Sequence, residues 1–177
     1  MHGPVPSDWL LVALCATTGA YCVVRMRSSV EEQRRTAGDE ALMGFGMAAM
    51  AVPAAALTPP RWAWLVCAAV FGAAALRALW AARTCHHHLH HLVGAAAMFY
   101  MAVVMAGGTH SGLPALTGAL FAYFTGYVLW TGTRLVPAVV DTPEGGTRTV
   151  GWGDRPELAL TCRLSMGIGM LAMLLTV

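Results

Sequence analysis

The chain has no lysine: all 11 basic residues are arginine, and charged residues of every kind make up only 11% of the 177. Against 57% hydrophobic residues, that small charged complement leaves more apolar surface than a soluble core of this size could hide, which excludes a soluble globular class. The net charge of +2 argues against nucleic acid as a partner. No CxxC pair occurs among the five cysteines, so neither a dithiol redox motif nor a zinc ribbon is signalled. The chain lacks a GxSxG elbow, an HExxH helix, a glycine-rich phosphate loop and a DGxxAR-like lipid-transferase box, and serine is sparse in its apolar stretches. No enzyme is expected. The segment before the first apolar run, Met1 to Asp8, carries no Arg or Lys, so a cleaved signal peptide is not expected, and Leu14 before Cys15 argues against a lipoprotein signal. The absence of lysine, with abundant Ala and Gly, reflects a GC-rich genome rather than a chemistry.

What is present is a series of long apolar runs. They fall at about 9–24, 41–57, 62–82, 89–106, 113–130 and 158–177, each near the roughly 20 residues that a bilayer-spanning helix needs. The fold class expected is therefore all-α, a single membrane domain of six transmembrane helices in three hairpins, with the lipid bilayer as its first partner. The second run is short and contains Pro53, which a transmembrane helix tolerates where a neighbour or water satisfies the freed carbonyl. Arg25, Arg27, Arg34 and Arg35 follow the first run, Arg77 and Arg83 close the third, and Arg134, Arg148 and Arg155 lie between the fifth and sixth. Only Arg61 falls on the opposite side. The positive-inside rule then places both termini outside a plasma membrane, with runs two, four and six crossing in the same direction. Trp9, Trp62, Trp64 and Trp130 at run ends fit an interfacial belt. Two longer connections remain: 25–40, expected to form a solvated helical turn, and 132–156, with TPEGG and GWGD, expected to be irregular.

Within these runs the chain repeats itself. MGFGMAAM, Met43 to Met50, returns as MGIGMLAM, Met166 to Met173, identical at six of eight positions. A third copy, GAAAMFYM from Gly94 to Met101, fits the register with Gly94 in place of the first Met. Methionines at i, i+4 and i+7 share one helical face, and the small residues between them allow close helix approach. Four positions before each copy stand Asp39, His90 and Cys162.

These residues define a candidate soft-metal path. Met43, Met47 and Met50, Met98 and Met101 (with Met105), and Met166, Met170 and Met173 form three ladders whose thioethers suit Cu(I) and discriminate against hard ions. His86, His87, His90 and His91, in CHHHLHH, with Cys162, stand at the inner end as receivers; His86 with His90, or His87 with His91, forms an i,i+4 pair on one helix face. A polar cap at the headgroup boundary explains the same histidines, and packing of a flexible side chain beside Gly and Ala explains the same methionines. HxxHH at His87, His90 and His91 resembles a desaturase box, but His2 and His110, the other histidines, fall on the opposite side of the membrane. Asp39, Glu40 and Glu157 suit helix N-termini. Arg163 does not, since a cation in the first turns of a helix needs a partner, so Asp39 or Glu40 is expected to pair with it.

DEALMGFGMAAMAVP, HHLHHLVGAAAMFYM and CRLSMGIGMLAM together resemble a family of actinobacterial multi-pass membrane proteins classed as a domain of unknown function, over about Trp9 to Val177. The resemblance implies a polar or His entry to a Met-bearing second span, a His-containing Ala- and Met-rich helix in mid-chain and a Met-rich last helix. Asp39 stands where the family pattern admits His. The resemblance implies location and fold type but no activity. Three functions stay open: Cu(I) binding or conduction, a non-catalytic subunit that packs against a larger membrane complex through its Gly- and Met-lined face, and haem ligation by His90 or His91.

Overall fold

A computed structural model describes residues 5–27, 31–53, 56, 58–82, 89–108, 112–140 and 156–175. These described residues are all-helical and form six helices: α1 (Val5–Arg25), α2 (Glu31–Met50), α3 (Arg61–Ala82), α4 (Leu89–Gly107), α5 (Pro114–Val140) and α6 (Pro156–Leu174). α5 and α6 open on proline, whose fixed φ and missing N–H cost nothing at a first helical position. α4 stops at Gly107, and Gly108 then takes a φ of 68°, the left-handed turn that glycine adopts without strain.

Among the described residues, three helices are long and apolar enough to cross a membrane: α1 over Asp8–Arg25, α3 over Arg61–Ala81 and α4 over Leu89–Gly107; Leu158–Leu174 of α6 is a shorter apolar helix. Only 11% of the α3 window is buried against 39% of the α4 window, so α3 is peripheral and α4 is central. The outward face of α3, with Trp62, Leu65, Val66, Leu76 and Trp80, is exposed and suited to acyl chains.

Several boundaries differ from those the apolar runs suggest. The connection expected over 25–40 is largely helix, because α2 begins at Glu31, so Asp39 and Glu40 sit in the interior of α2 rather than opening it. α2 also ends at Met50, short of the expected 57. Pro53 lies beyond the helix, since the residue preceding a proline is pushed out of the helical region. α5 runs on to Val140, making helical the first part of the connection expected to be irregular; residues 141–155 fall outside the described residues.

Successive helices pack as pairs, α1 with α2, α3 with α4 and α5 with α6, while α2 also touches α4 and α6, and α1 touches α6. A glycine stands in each pair. A Cβ at Gly44 of α2 would lie 2.9 Å from the backbone of Gly19 in α1, one at Gly72 of α3 would lie 3.2 Å from the Phe99 ring of α4, and one at Gly167 of α6 would lie 2.8 Å from Val128 of α5. Lipid tails are as apolar as leucine, so helices in a bilayer associate through such close packing rather than through hydrophobic exclusion.

The repeat has a corresponding division of labour. Gly44 and Gly167, second in their octapeptides, each face their own hairpin partner. Gly46 and Gly169, fourth, face other hairpins: a Cβ at Gly46 would overlap Phe71 of α3, and one at Gly169 would lie 3.3 Å from Cys15 Sγ of α1 and 3.6 Å from Met47 Sδ of α2. The contacts also fix direction. Glu40 meets Arg163, Met47 faces Gly169, Met43 faces Gly94, and Gly46 faces Met98, so α2, α4 and α6 run parallel with equivalent repeat positions at matching heights.

Candidate soft-metal site and its charge cluster

Met43, Met47, Met50, Met98, Met101, Met166, Met170 and Met173 all belong to one buried core cluster, together with Cys15, Phe71 and Phe124. The structure therefore turns these side chains into the core rather than toward the outer surface. Met98 and Met101 are nearly inaccessible, at 0% and 1% exposure, because α4 packs against both α3 and α2.

At one end of the cluster is a small pocket lined by Glu40, Met43, Met47, His90, His91, Gly94, Phe124, Arg163, Met166, Gly167 and Met170. Its free space is about that of one water-sized particle. Four ladder methionines thus share a wall with both described histidines. Met50, Met98, Met101 and Met173 lie elsewhere in the same core and do not line the pocket.

His91 is buried and also borders a second recess with Asp39, Met43 and Phe71. His90 is held by aromatic residues of α5: its ring stacks on Tyr127 at 3.8 Å between centroids and 11° between planes, and its Nδ1 is 3.3 Å from the Tyr123 hydroxyl. His86 and His87, the expected i,i+4 partners, lie outside the described residues. Among the described residues no three His, Cys, Asp or Glu side chains come together as a metal-holding group.

Above the pocket stands a charge cluster. Glu40 is 1% exposed and uses both carboxylate oxygens: Arg25 donates from Nη1 to Oε2 at 2.6 Å, and Arg163 donates from Nε to Oε1 at 2.8 Å. Arg25 is itself 2% exposed, whereas Arg163 retains 36%. Asp39, the other acid available to Arg163, instead pairs with Arg77 of α3 at the surface.

Isolated charges of this burial would be expensive in a bilayer, and mutual pairing is what permits them. Cys22 extends the cluster, its Sγ 3.8 Å from Glu40 Oε2. Arg25 and Cys22 were not among the candidates named from the sequence. Their signal lay in α1, where Cys15, Thr18, Cys22 and Arg25, all buried, recur at steps of three and four and so share one helical face.

These features define a helical protein with membrane-type helices, a sulfur-lined interior and a buried ion cluster. The chain belongs to the family described as Domain of unknown function (DUF5134), whose model matches residues 32–177. No curated protein and no solved structure matches the chain.

Proposed function

We propose that all six helices span the plasma membrane with both termini outside, and that the protein binds and conducts Cu(I) along the seam of α2, α4 and α6 without catalysing a reaction. The observation that carries this reading is the shared pocket of Met43, Met47, Met166, Met170 and His91 at one end of a buried methionine core. Thioethers bind cuprous ion and are poor ligands for hard cations, while imidazole accepts copper from them. Equivalent repeat positions at matching heights supply successive sulfur rungs, spread over roughly 10 Å of each helix at 1.5 Å per residue. His90, His91 and Cys162, with His86 and His87 preceding them in the chain, stand toward the inner end that the arginine distribution assigns. A pocket for one small particle favours a single ion over a haem macrocycle.

The test is an anaerobic Cu(I) titration of the purified protein beside a variant carrying Met47→Leu, Met98→Leu and Met170→Leu. Leucine keeps the volume, so the variant is expected to fold, each change costing less than about 1.5 kcal/mol. Loss of seam binding is expected; unchanged affinity removes the methionines from the function.

A second reading, a non-catalytic subunit, is favoured by the outer face of α5. Gly118, Ala122 and Gly126 are exposed at i, i+4 and i+8, with open space beside both glycines. Small residues in that spacing suit close packing by another transmembrane helix. Such a partner would dock there and not on the methionines, which face inward. Co-purification of a stoichiometric membrane partner, lost in Gly126→Leu, would select this reading.

A further inference from the structure

α4 brings no thioether to the small pocket at the charged end of the seam. There α2 supplies Met43 and Met47 and α6 supplies Met166 and Met170, whereas α4 has Gly94 where the other two copies of the repeat carry their first methionine. The ligand-type side chains that α4 does offer at that level are His90 and His91, whose rings lie 6.0 Å apart between centroids. His90 is fixed from outside the seam. Tyr123 and Tyr127 stand at i and i+4 on α5, so their rings rise from one helical face. The Tyr127 ring lies 3.8 Å from the imidazole at 11° between planes, which sets the plane of the imidazole. The Tyr123 hydroxyl, 3.3 Å from Nδ1, sets its rotation within that plane. With both fixed, Nδ1 is committed to α5, and Nε2 is the nitrogen left for the pocket that His90 lines.

We propose that His90 Nε2 is the imidazole ligand that completes a cuprous site with thioethers of α2 and α6, and that Tyr123 and Tyr127 are its positioning residues. The assignment fixes a tautomer. A neutral imidazole carries one ring proton, so Nδ1–H donates to the Tyr123 oxygen and Nε2 keeps its lone pair for the metal. Were the tyrosine the donor instead, the ring proton would sit on Nε2 and block the ligand position. Metal-bound histidines are held in this manner, their second nitrogen hydrogen-bonded to a neighbour that sets orientation and tautomer. Every ligand is neutral: the ion displaces no proton, each donor atom contributes a lone pair, and no electron passes to or from the metal. An imidazole from α4 and a thioether from each of α2 and α6 give soft coordination around a space about the size of a water molecule. The site rests on the seam reading and deepens it, naming the nitrogen at which sulfur hands over.

The experiment uses the full chain in detergent under argon, with isotope-labelled histidine followed by nitrogen NMR. Cu(I) is diamagnetic, so the ring nitrogens of His90, identified by its contact with the Tyr127 ring, stay observable throughout. Before copper is added, Nδ1 is expected to carry the proton; one equivalent of Cu(I) is then expected to shift Nε2 and leave Nδ1 protonated. A proton found on Nε2, or Cu(I) bound while Nε2 stays unmoved, overturns the proposal, and neither result needs a variant. The second arm measures Cu(I) affinity against a chromophoric cuprous chelator. Tyr123→Phe removes a single hydroxyl and is expected to weaken binding by roughly 10–100-fold, as loss of the hydrogen-bond partner behind a metal ligand does. Tyr100→Phe removes another hydroxyl link between α4 and α5, from Tyr100 to Thr117 at 2.9 Å, and is expected to leave the affinity unaltered. Equal losses in the two variants would make Tyr123 a tie between helices and sink its positioning role. A wild type that takes up no Cu(I) ends the seam reading and this site with it, whereas Cu(I) uptake with an unmoved Nε2 ends this assignment alone.

Discussion

The sulfur of Met43 in α2 occupies the space where a side chain at Gly94 in α4 would begin: a Cβ there would lie 2.8 Å from Met43 Sδ. The third copy of the repeat lacks its first methionine at the position where another copy's methionine needs room. Gly94→Ala should push Met43 aside at an overpacking cost of about 1–3 kcal/mol, and Gly94→Met, which completes the repeat in sequence, should cost more. Thermal unfolding of the two variants in detergent is the check, and a Gly94→Met protein as stable as wild type would contradict it.

Gly44 and Gly126 should respond in opposite ways to the same substitution. A methyl group at Gly44 meets the backbone of Gly19, which cannot rotate away, so Gly44→Ala should separate α1 from α2 and destabilise by about 1–3 kcal/mol. Gly126 faces open space, and Gly126→Ala should be neutral or stabilising by up to about 1 kcal/mol through helix propensity. Denaturation midpoints measured side by side would show this contrast, and equal shifts would refute it.

Asp39 and Glu40 are adjacent acids with unequal importance. Glu40→Gln leaves the buried Arg25 without a counter-charge, a loss of about 3–5 kcal/mol for a broken buried pair. Asp39→Asn breaks only an exposed pair with Arg77, worth roughly 0–1 kcal/mol. Replacing Glu40 and Arg25 together, with Gln and Leu, should recover part of the first loss. A Glu40→Gln protein no less stable than Asp39→Asn would show that Arg25 finds its stabilisation elsewhere.

Much of this arrangement is readable from spacing. Octapeptides that repeat with the same internal spacing demand equivalent helices, and methionines at i, i+4 and i+7 demand a shared face. Arg163, a cation early in an apolar helix, called for one of two neighbouring acids. The helix ends were less legible. Residues 31–40 are polar enough to read as a loop, yet they continue α2 as helix, because Ala37 and Glu40 are buried there while Glu31 and Arg34 pair on its exposed side. Arg25 was masked by its position: at the end of an apolar run it satisfies the rule for orientation, and that rule carries no information about pairing.

The sequence alone determined the helical class, the paired topology and the common direction of α2, α4 and α6, since these follow from local periodicity, apolar length and charge order, which act along the chain. Tertiary structure decided which oxygen of Glu40 receives which arginine, that Asp39 turns to Arg77 instead, and that Cys22 of α1 lies beside Glu40 of α2. Those outcomes depend on helix rotation, and rotation is set by where glycines let backbones touch, a relationship between helices that no single segment encodes.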